Sequence, residues 1–129
     1  MTELFKGYVP TRNKKCLRKF KDAPLMALEE VRDLPEYAGI LADDTILIDI
    51  DDHSQSEVLM DIIEDMKIDC RVYQTTRGKH FLFRNDGRVK QCFTGVRLAC
   101  GLTADIKVGL KNSYSILKYD NEERFVEWD

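Results

Sequence analysis

The chain has 129 residues, a length typical of a single domain with its own core. Hydrophobic residues make up 43 % and charged residues 33 % of the chain, which excludes a disordered protein. No apolar run is long enough to span a membrane and no apolar signal segment opens the chain, so we expect a cytoplasmic protein. Its 4 cysteines form no CxxC pair, which favours buried, reduced thiols over a zinc site.

The charges are unevenly distributed, although the net charge is only -3. The segment 12–21 holds six basic side chains and no acid, whereas the acids concentrate in 29–36, 43–69 and 120–129. Such separation suits a protein that binds phosphates with one surface. An ordinary solvated surface would give the same pattern, and the charges alone do not decide between the two interpretations.

The first half of the chain alternates strand and helix signals. Pro10 is expected to end the first strand, Pro24 to lie in the first turn of a helix, and Ser54 or Ser56 to cap a second helix. The turn at 42–44 between two apolar runs predicts a hairpin. The elements expected in order are a strand at 4–9, a loop or irregular helix over the basic segment, a helix at 24–32, strands at 37–41 and 45–51, and a helix ending near Met66.

The second half is rich in strands joined by short turns. Strands are expected at 71–75, 80–83, 97–99, 105–108, 113–118 and 124–128. This succession predicts one α+β domain over residues 1–129, with an antiparallel or mixed sheet and helices packed on one face.

The most informative motif is ILIDID at 46–51. Side chains alternate along a strand, so Asp49 and Asp51 share one face, while Asp52 lies on the other and is expected to cap the next helix. Two nearby carboxylates repel each other unless a cation lies between them. A metal site explains the pair better than a polar strand end, because Asp49 stands within an apolar run and needs a partner there.

Two further segments carry candidate site residues. TTRGKH at 75–80 is a polar turn in which Gly78 would let the backbone approach a ligand, and His80 begins an apolar strand. ADIK at 104–107 places Asp105 and Lys107 on one strand face, as a surface ion pair or as a metal ligand beside a phosphate-binding lysine. Three carboxylates could hold two divalent cations for in-line displacement at a triphosphate.

The order of these motifs resembles that of the archaeo-eukaryotic primases, in particular the primase-polymerase domains of phages and plasmids. The three family motifs read ILIDID (46–51), GKH (78–80) and ADIK (104–107) in this chain. The resemblance covers roughly residues 37–118. It implies a catalytic sheet similar to that of RNA-recognition-motif domains, with a small N-terminal αβ unit.

The resemblance also implies the roles of individual residues. Asp49, Asp51 and Asp105 would bind catalytic Mg²⁺ or Mn²⁺, and His80 and Lys107 would contact the incoming nucleotide. The turn would add further contacts to the triphosphate, from Thr76, Arg77, Gly78 and Lys79. Independently of the resemblance, the charge of the basic segment makes it the candidate for template contact, through Arg12, Lys14, Lys15, Arg18 and Lys19.

The expected function is therefore template-directed nucleotide transfer in phage or plasmid DNA replication, in the cytoplasm of a bacterial host. The expected partners are a DNA template, ribo- or deoxyribonucleoside triphosphates, and a replicative helicase as a further domain or a subunit. The alternatives are a non-catalytic DNA-binding replication module and a metal-dependent nuclease. The three classes differ in whether primers are extended, DNA is only bound, or templates are shortened.

Overall fold

The computed structural model describes residues 1–129 as two antiparallel sheets and two α-helices. The predicted α+β class is confirmed, and no parallel strand pair is present. In chain order the elements are β1 Phe5–Arg12, β2 Lys15–Cys16, α1 Leu28–Val31, β3 Tyr37–Leu41, β4 Thr45–Ile50, α2 His53–Met66, β5 Arg71–Gln74, β6 Lys79–Arg84, β7 Phe93–Arg97, β8 Thr103–Val108, a 3₁₀ turn at Gly109–Lys111, β9 Tyr114–Tyr119, β10 Glu122–Glu123 and β11 Val126–Trp128.

The larger sheet has the strand order β11-β5-β6-β4-β8-β7, and α2 covers one of its faces. Asp52 is the N-cap of α2, as expected, because its carboxylate accepts a hydrogen bond from the Gln55 amide at 2.8 Å. Neither serine caps the helix. The apolar side of α2 buries Met60 and Ile63 against the sheet. Each fully buried side chain of this size contributes about 1.5–3 kcal/mol to stability.

The smaller sheet has the strand order β10-β9-β3-β1-β2 and packs on the opposite face of the larger one. The interface between the sheets is a buried apolar cluster that includes Leu4, Leu41, Leu47, Leu82 and Leu117. Strands β9 and β10 complete this sheet beside β1, β2 and β3, so the small N-terminal αβ unit that the resemblance implied is not formed by the N-terminal segment alone.

The two helices lie on opposite sides of the larger sheet, so the expectation of helices on one face was wrong. Val31 of α1 packs in the cluster that contains Leu47 and Leu82, whereas α2 packs on Ile50. Helix α1 is also shorter than predicted. Met26 exchanges two backbone hydrogen bonds with Tyr8 of β1, and this bridge holds the preceding residues extended.

The basic segment begins with a hairpin rather than a loop or helix. Strand β1 continues through Pro10 to Arg12, and the Pro10 carbonyl accepts a hydrogen bond from the Leu17 amide at 2.9 Å. The turn to β2 uses Asn13 and Lys14 at φ values of 51° and 66°. Two consecutive residues with positive φ match the twist that a tight hairpin requires.

The predicted hairpin of β3 and β4 was wrong, because the two strands belong to different sheets. A tight turn is present, with the Thr45 amide bonded to the Ala42 carbonyl at 2.9 Å. However, the Thr45 hydroxyl donates to the Leu4 carbonyl, and the chain passes from one sheet to the other. All five residues of β3 are buried between β1 and β9.

Other differences concern the late strands and the cysteines. Strand β7 lies mainly before the predicted 97–99, and only Val126–Trp128 of the last predicted strand, at 124–128, form a strand, β11; a short strand, β10, precedes it at Glu122–Glu123. All four cysteines are free thiols, but Cys92 and Cys100 are exposed rather than buried. No helix is both long and apolar enough to cross a membrane.

Candidate functional site

Strand register brings the three sequence motifs together at one end of the larger sheet. Asp49 of β4 lies directly opposite His80 on β6 and directly opposite Asp105 on β8. Directly opposite residues share a sheet face, so these three side chains are neighbours. Lys107, opposite Leu47, lies on the same face, and Asp51 follows immediately after β4. This face is the one turned toward the smaller sheet.

His80 forms the floor of the site, with both ring nitrogens in contact with protein groups. Its Nε2 lies 3.4 Å from an Asp49 carboxylate oxygen, and its Nδ1 lies 3.2 Å from the Arg124 guanidinium and 3.2 Å from the Ser115 hydroxyl. A guanidinium can only donate hydrogen bonds, so Nδ1 must accept. The ring proton is therefore on Nε2 and is directed at Asp49.

The electrostatics agree with this assignment. Burial lowers the pKa of His80, and the nearby cations oppose its protonation although Asp49 favours it. Burial alone would raise the pKa of Asp49, but the hydrogen bond from His80 and the charges of Lys107 and Arg124 hold it below its ordinary value. The pair is thus a neutral imidazole donating to an ionised carboxylate. Both side chains are largely buried, with 13 % and 23 % exposure.

The other two carboxylates have separate protein partners. Asp51 forms an exposed ion pair with Arg77 at 2.8 Å. Asp105 accepts a hydrogen bond from the Gly95 amide at 2.7 Å, within an irregularity of β7 where Gly95 has a φ of 62°. Because each carboxylate is turned to a different partner, no three acidic, histidine or cysteine side chains converge on one point.

The donor set nevertheless fits a hard divalent cation. A cavity of about 230 Å³ is lined by Asp49, Asp51 and Asp105, together with Asp52 and Gln55. Magnesium and manganese prefer carboxylate oxygens. The Asp51–Arg77 pair is exposed, and such pairs are worth only about 0–1 kcal/mol. Asp51 could therefore turn toward a cation at little cost, and Asp105 would exchange one amide contact for it.

A second cavity of about 260 Å³ adjoins the carboxylates and is mainly cationic. We call it the cationic cleft. Four basic side chains and two carboxylates line it, so its charge favours an anion. Its lining residues are Lys14, Asp49, Asp51, Thr75, Thr76, Arg77, His80, Lys107, Tyr114, Ser115, Ile116 and Arg124.

Lys79 does not reach this cleft, contrary to expectation. It lies opposite Ile50, on the face that α2 covers, and its side chain is only 5 % exposed. Its ammonium is held between Glu57, at 2.9 Å, and Glu127. Since β6 alternates its faces, Lys79 must point away from His80. It is a structural ion-pair residue in this fold.

Gly78 also has a different role from the one predicted. A Cβ atom at this position would lie 1.9 Å from the Ile50 carbonyl oxygen. The close backbone approach that glycine permits is therefore made to β4 and not to a ligand. Thr76 and Arg77, in the same turn, do line the cleft.

Only Lys14 of the five predicted template-binding residues lines the cationic cleft. It lies in the β1–β2 turn, with its ammonium 5.0 Å from the centre of the Tyr119 ring. The remaining four side chains are exposed and do not line the cleft: Arg12 ends β1, Lys15 lies on the edge strand β2, and Arg18 and Lys19 follow that strand.

Sequence reasoning missed Arg124 and Ser115. Arg124 is the lone basic residue among the acids of 120–129, and that contrast was the available signal. Ser115 carried no such signal, because its position against His80 depends on how the two sheets pack.

The chain matches no model of a known protein family, and comparisons with curated proteins and with solved structures find no significant match.

Proposed function

We propose that this chain is a template-directed nucleotidyltransferase of the primase-polymerase type, which transfers nucleotides from a nucleoside triphosphate to a 3′-hydroxyl. The observation that carries the proposal is the register of β6, β4 and β8. It aligns His80, Asp49 and Asp105 across three adjacent strands. Motifs separated by up to some fifty residues thus share one sheet face, beside a cleft with an excess of cations.

In this proposal Asp49, Asp51 and Asp105 hold Mg²⁺ or Mn²⁺, which supplies charge neutralisation at the attacking and leaving oxygens when bound. His80 donates its Nε2 hydrogen to Asp49 and so fixes the orientation of that carboxylate. Ser115 bonds the opposite ring nitrogen and keeps the imidazole in place. These contacts hold the Asp49 carboxylate in one orientation before substrate arrives.

The cationic cleft would bind the triphosphate. Arg77 borders it from the β5–β6 turn and Lys107 from β8, and the Thr76 hydroxyl can donate to a phosphate oxygen. Template DNA would lie across the exposed basic segment and reach the cleft at Lys14. The primase-like fold, phage or plasmid replication, a helicase partner and the bacterial cytoplasm belong to the same proposal.

The test is an extension assay with labelled nucleotides, with and without a primer, in Mg²⁺ and in Mn²⁺. Asp49→Asn retains the shape of the side chain and can still accept the His80 hydrogen bond. It should reduce nucleotide incorporation by about 100-fold or more, because charge stabilisation by a bound metal is worth several kcal/mol. The matched control is Asp65→Asn, an exposed aspartate of α2 without ion-pair partners.

Equal incorporation by Asp49→Asn and the control would show that the metal assignment is wrong. Template shortening without added nucleotides would indicate a nuclease. DNA binding that survives EDTA, with no incorporation by the unmodified chain, would indicate a binding module instead of an enzyme.

A further inference from the structure

Arg124 occupies an unusual position among the arginines of this chain. It is the only one that is partly buried and has no carboxylate within salt-bridge distance. The other partly buried arginine, Arg71, forms a two-pronged ion pair with Asp129. An arginine taken from water normally needs a counter-charge, because burial of an unpaired charge is costly. Arg124 therefore lacks the partner that its burial calls for.

The hydrogen-bond donors of Arg124 that His80 does not use are available to the cationic cleft. A guanidinium carries five N–H donors. One of its nitrogens, Nη1, contacts His80 Nδ1 at 3.2 Å, and Arg124 lines the cleft together with Lys14, Arg77 and Lys107. Burial lowers the pKa of Arg124, and the nearby charge of Asp49 only partly opposes this. An anion in the cleft would supply the missing charge.

His80 is less suited to that task in this arrangement. Its Nε2 hydrogen is directed at Asp49, and its Nδ1 is an acceptor occupied by Arg124 and Ser115. Neither nitrogen offers a free hydrogen to a phosphate oxygen. A phosphate group in the cleft would instead meet the fork of the guanidinium, whose planar geometry matches phosphate oxygens.

We infer that Arg124 is a phosphate-binding residue that also positions His80: one N–H holds His80 Nδ1, and the remaining N–H groups bind the nucleotide's phosphates. This inference rests on the proposed nucleotide transfer for the identity of its ligand. The residue comes from the connection between β10 and β11, which joins the two sheets. Phosphate binding would therefore hold the two sheets together at the mouth of the cleft.

The test is titration calorimetry of the purified chain with inorganic triphosphate in Mg²⁺. Arg124→Met keeps a long side chain but removes every donor, and it should weaken binding about tenfold or more, as expected for charge-assisted hydrogen bonds. Arg124→Lys should give an intermediate loss, because it keeps the charge and loses the fork. The control is Arg97→Met, an exposed arginine of β7 outside the cleft, which should bind as the unmodified chain does.

A second readout separates binding from positioning. Nitrogen-15 NMR of the His80 ring should show Nε2–H and an accepting Nδ1 in the unmodified chain. The Nδ1 resonance should shift in Arg124→Met, which removes the donor to that nitrogen, while Asp49 still accepts the Nε2 hydrogen; thermal unfolding confirms that the variant is folded. A shifted Nδ1 resonance with unchanged triphosphate affinity would mean that Arg124 only positions His80, and would overturn the inference. If Arg124→Met does not fold, Arg124→Lys takes its place in the titration. Unchanged triphosphate affinity of Arg124→Lys would then overturn the inference.

The outcome is independent of the extension assay. Triphosphate binding that depends on Arg124, in a chain that extends no primer, would support the phosphate site and remove the proposed enzyme function. Normal extension with triphosphate affinity unaffected by Arg124→Met would leave the function standing and overturn this inference alone.

Discussion

Lys79 and His80 are neighbours in the chain, but their side chains lie on opposite faces of the larger sheet. The two faces also differ in how their charges are balanced. The Lys79 ammonium is paired with two carboxylates, Glu57 and Glu127, beneath the side that α2 covers. His80 lies on the other side, at the floor of a cleft where four cations meet two carboxylates. The first side has its charges balanced within the protein, whereas the second leaves an excess.

This difference in charge balance predicts two kinds of charged residue: those whose charge stabilises the fold and those whose charge binds an anion. Removing one charge of a buried ion pair leaves its partner as an unpaired charge and lowers stability. Removing a charge from a side with excess positive charge should cost little stability and should weaken the binding of an anion. Variants on the two sides are therefore expected to divide into those that change unfolding and those that change binding.

The largest stability effect is expected at Gly78, in the turn between β5 and β6. Gly78→Ala should lower the free energy of unfolding by about 3 kcal/mol, the upper end for overpacking, because the new methyl group would meet the Ile50 carbonyl at 1.9 Å. Gly87→Ala is the matched control. It has a φ of 93° but open space around it, so its cost should be only about 1–2 kcal/mol. Urea unfolding measures both, and equal losses would refute the close-approach explanation.

Lys79→Met should come next, with a loss of about 1.5–3 kcal/mol as two charge-assisted hydrogen bonds disappear. The exposure of Glu57 keeps the loss toward the lower value. Binding of inorganic triphosphate should not change, since Lys79 does not line the cleft. If Lys79→Met had normal stability and bound triphosphate more weakly, Lys79 would be a binding residue, and the contrast between the two faces of the sheet would be wrong.

Acid should destabilise the fold in two stages. Burial lowers the pKa of His80 from 6.5, so the unfolded chain takes up the proton first and stability begins to fall as the pH drops below that value. Burial would raise the pKa of Glu127, but Lys79 and Gln74 hold it below 4.5. Its contribution is therefore present above pH 4.5 and is lost as the pH falls further.

Unfolding measured across pH checks each stage with one substitution. Glu127→Gln should flatten the profile only below about pH 4.5, whereas the effect of His80→Gln should already begin as the pH falls below about 6.5. Identical profiles for Glu127→Gln and the unmodified chain would mean that Lys79 does not depress the pKa of this carboxyl.

The smallest effect is expected from single cations of the basic segment. Lys14→Ala should weaken single-stranded DNA binding a few-fold and reduce the salt slope by about 0.7, the value for one phosphate contact. Lys19→Ala should do less, because that side chain lies away from the cleft. Equal effects of both substitutions would mean that DNA follows the edge of the smaller sheet and does not enter the cleft.

Local sequence patterns located most of the secondary structure. Helix α2, its Asp52 cap and the strands that carry Asp49 and His80 were predictable, because period and capping chemistry are properties of neighbouring residues. The β3–β4 hairpin failed since a tight turn does not decide whether two strands pair or enter different sheets. Helix α1 was overestimated because its first turn is held extended by β1, a distant partner.

The sequence by itself determined the candidate site residues: an alternating pair of aspartates, a glycine-turn histidine and a third aspartate two residues before a lysine. Strand alternation alone places Asp49 and Asp51 on one face. Only the tertiary structure decided the partners. The register of β4 with β6 and β8 places Asp49 opposite both His80 and Asp105. The packing of the two sheets places the Arg124 guanidinium against the His80 ring. Contacts between residues far apart in the chain depend on global pairing, which no short motif encodes.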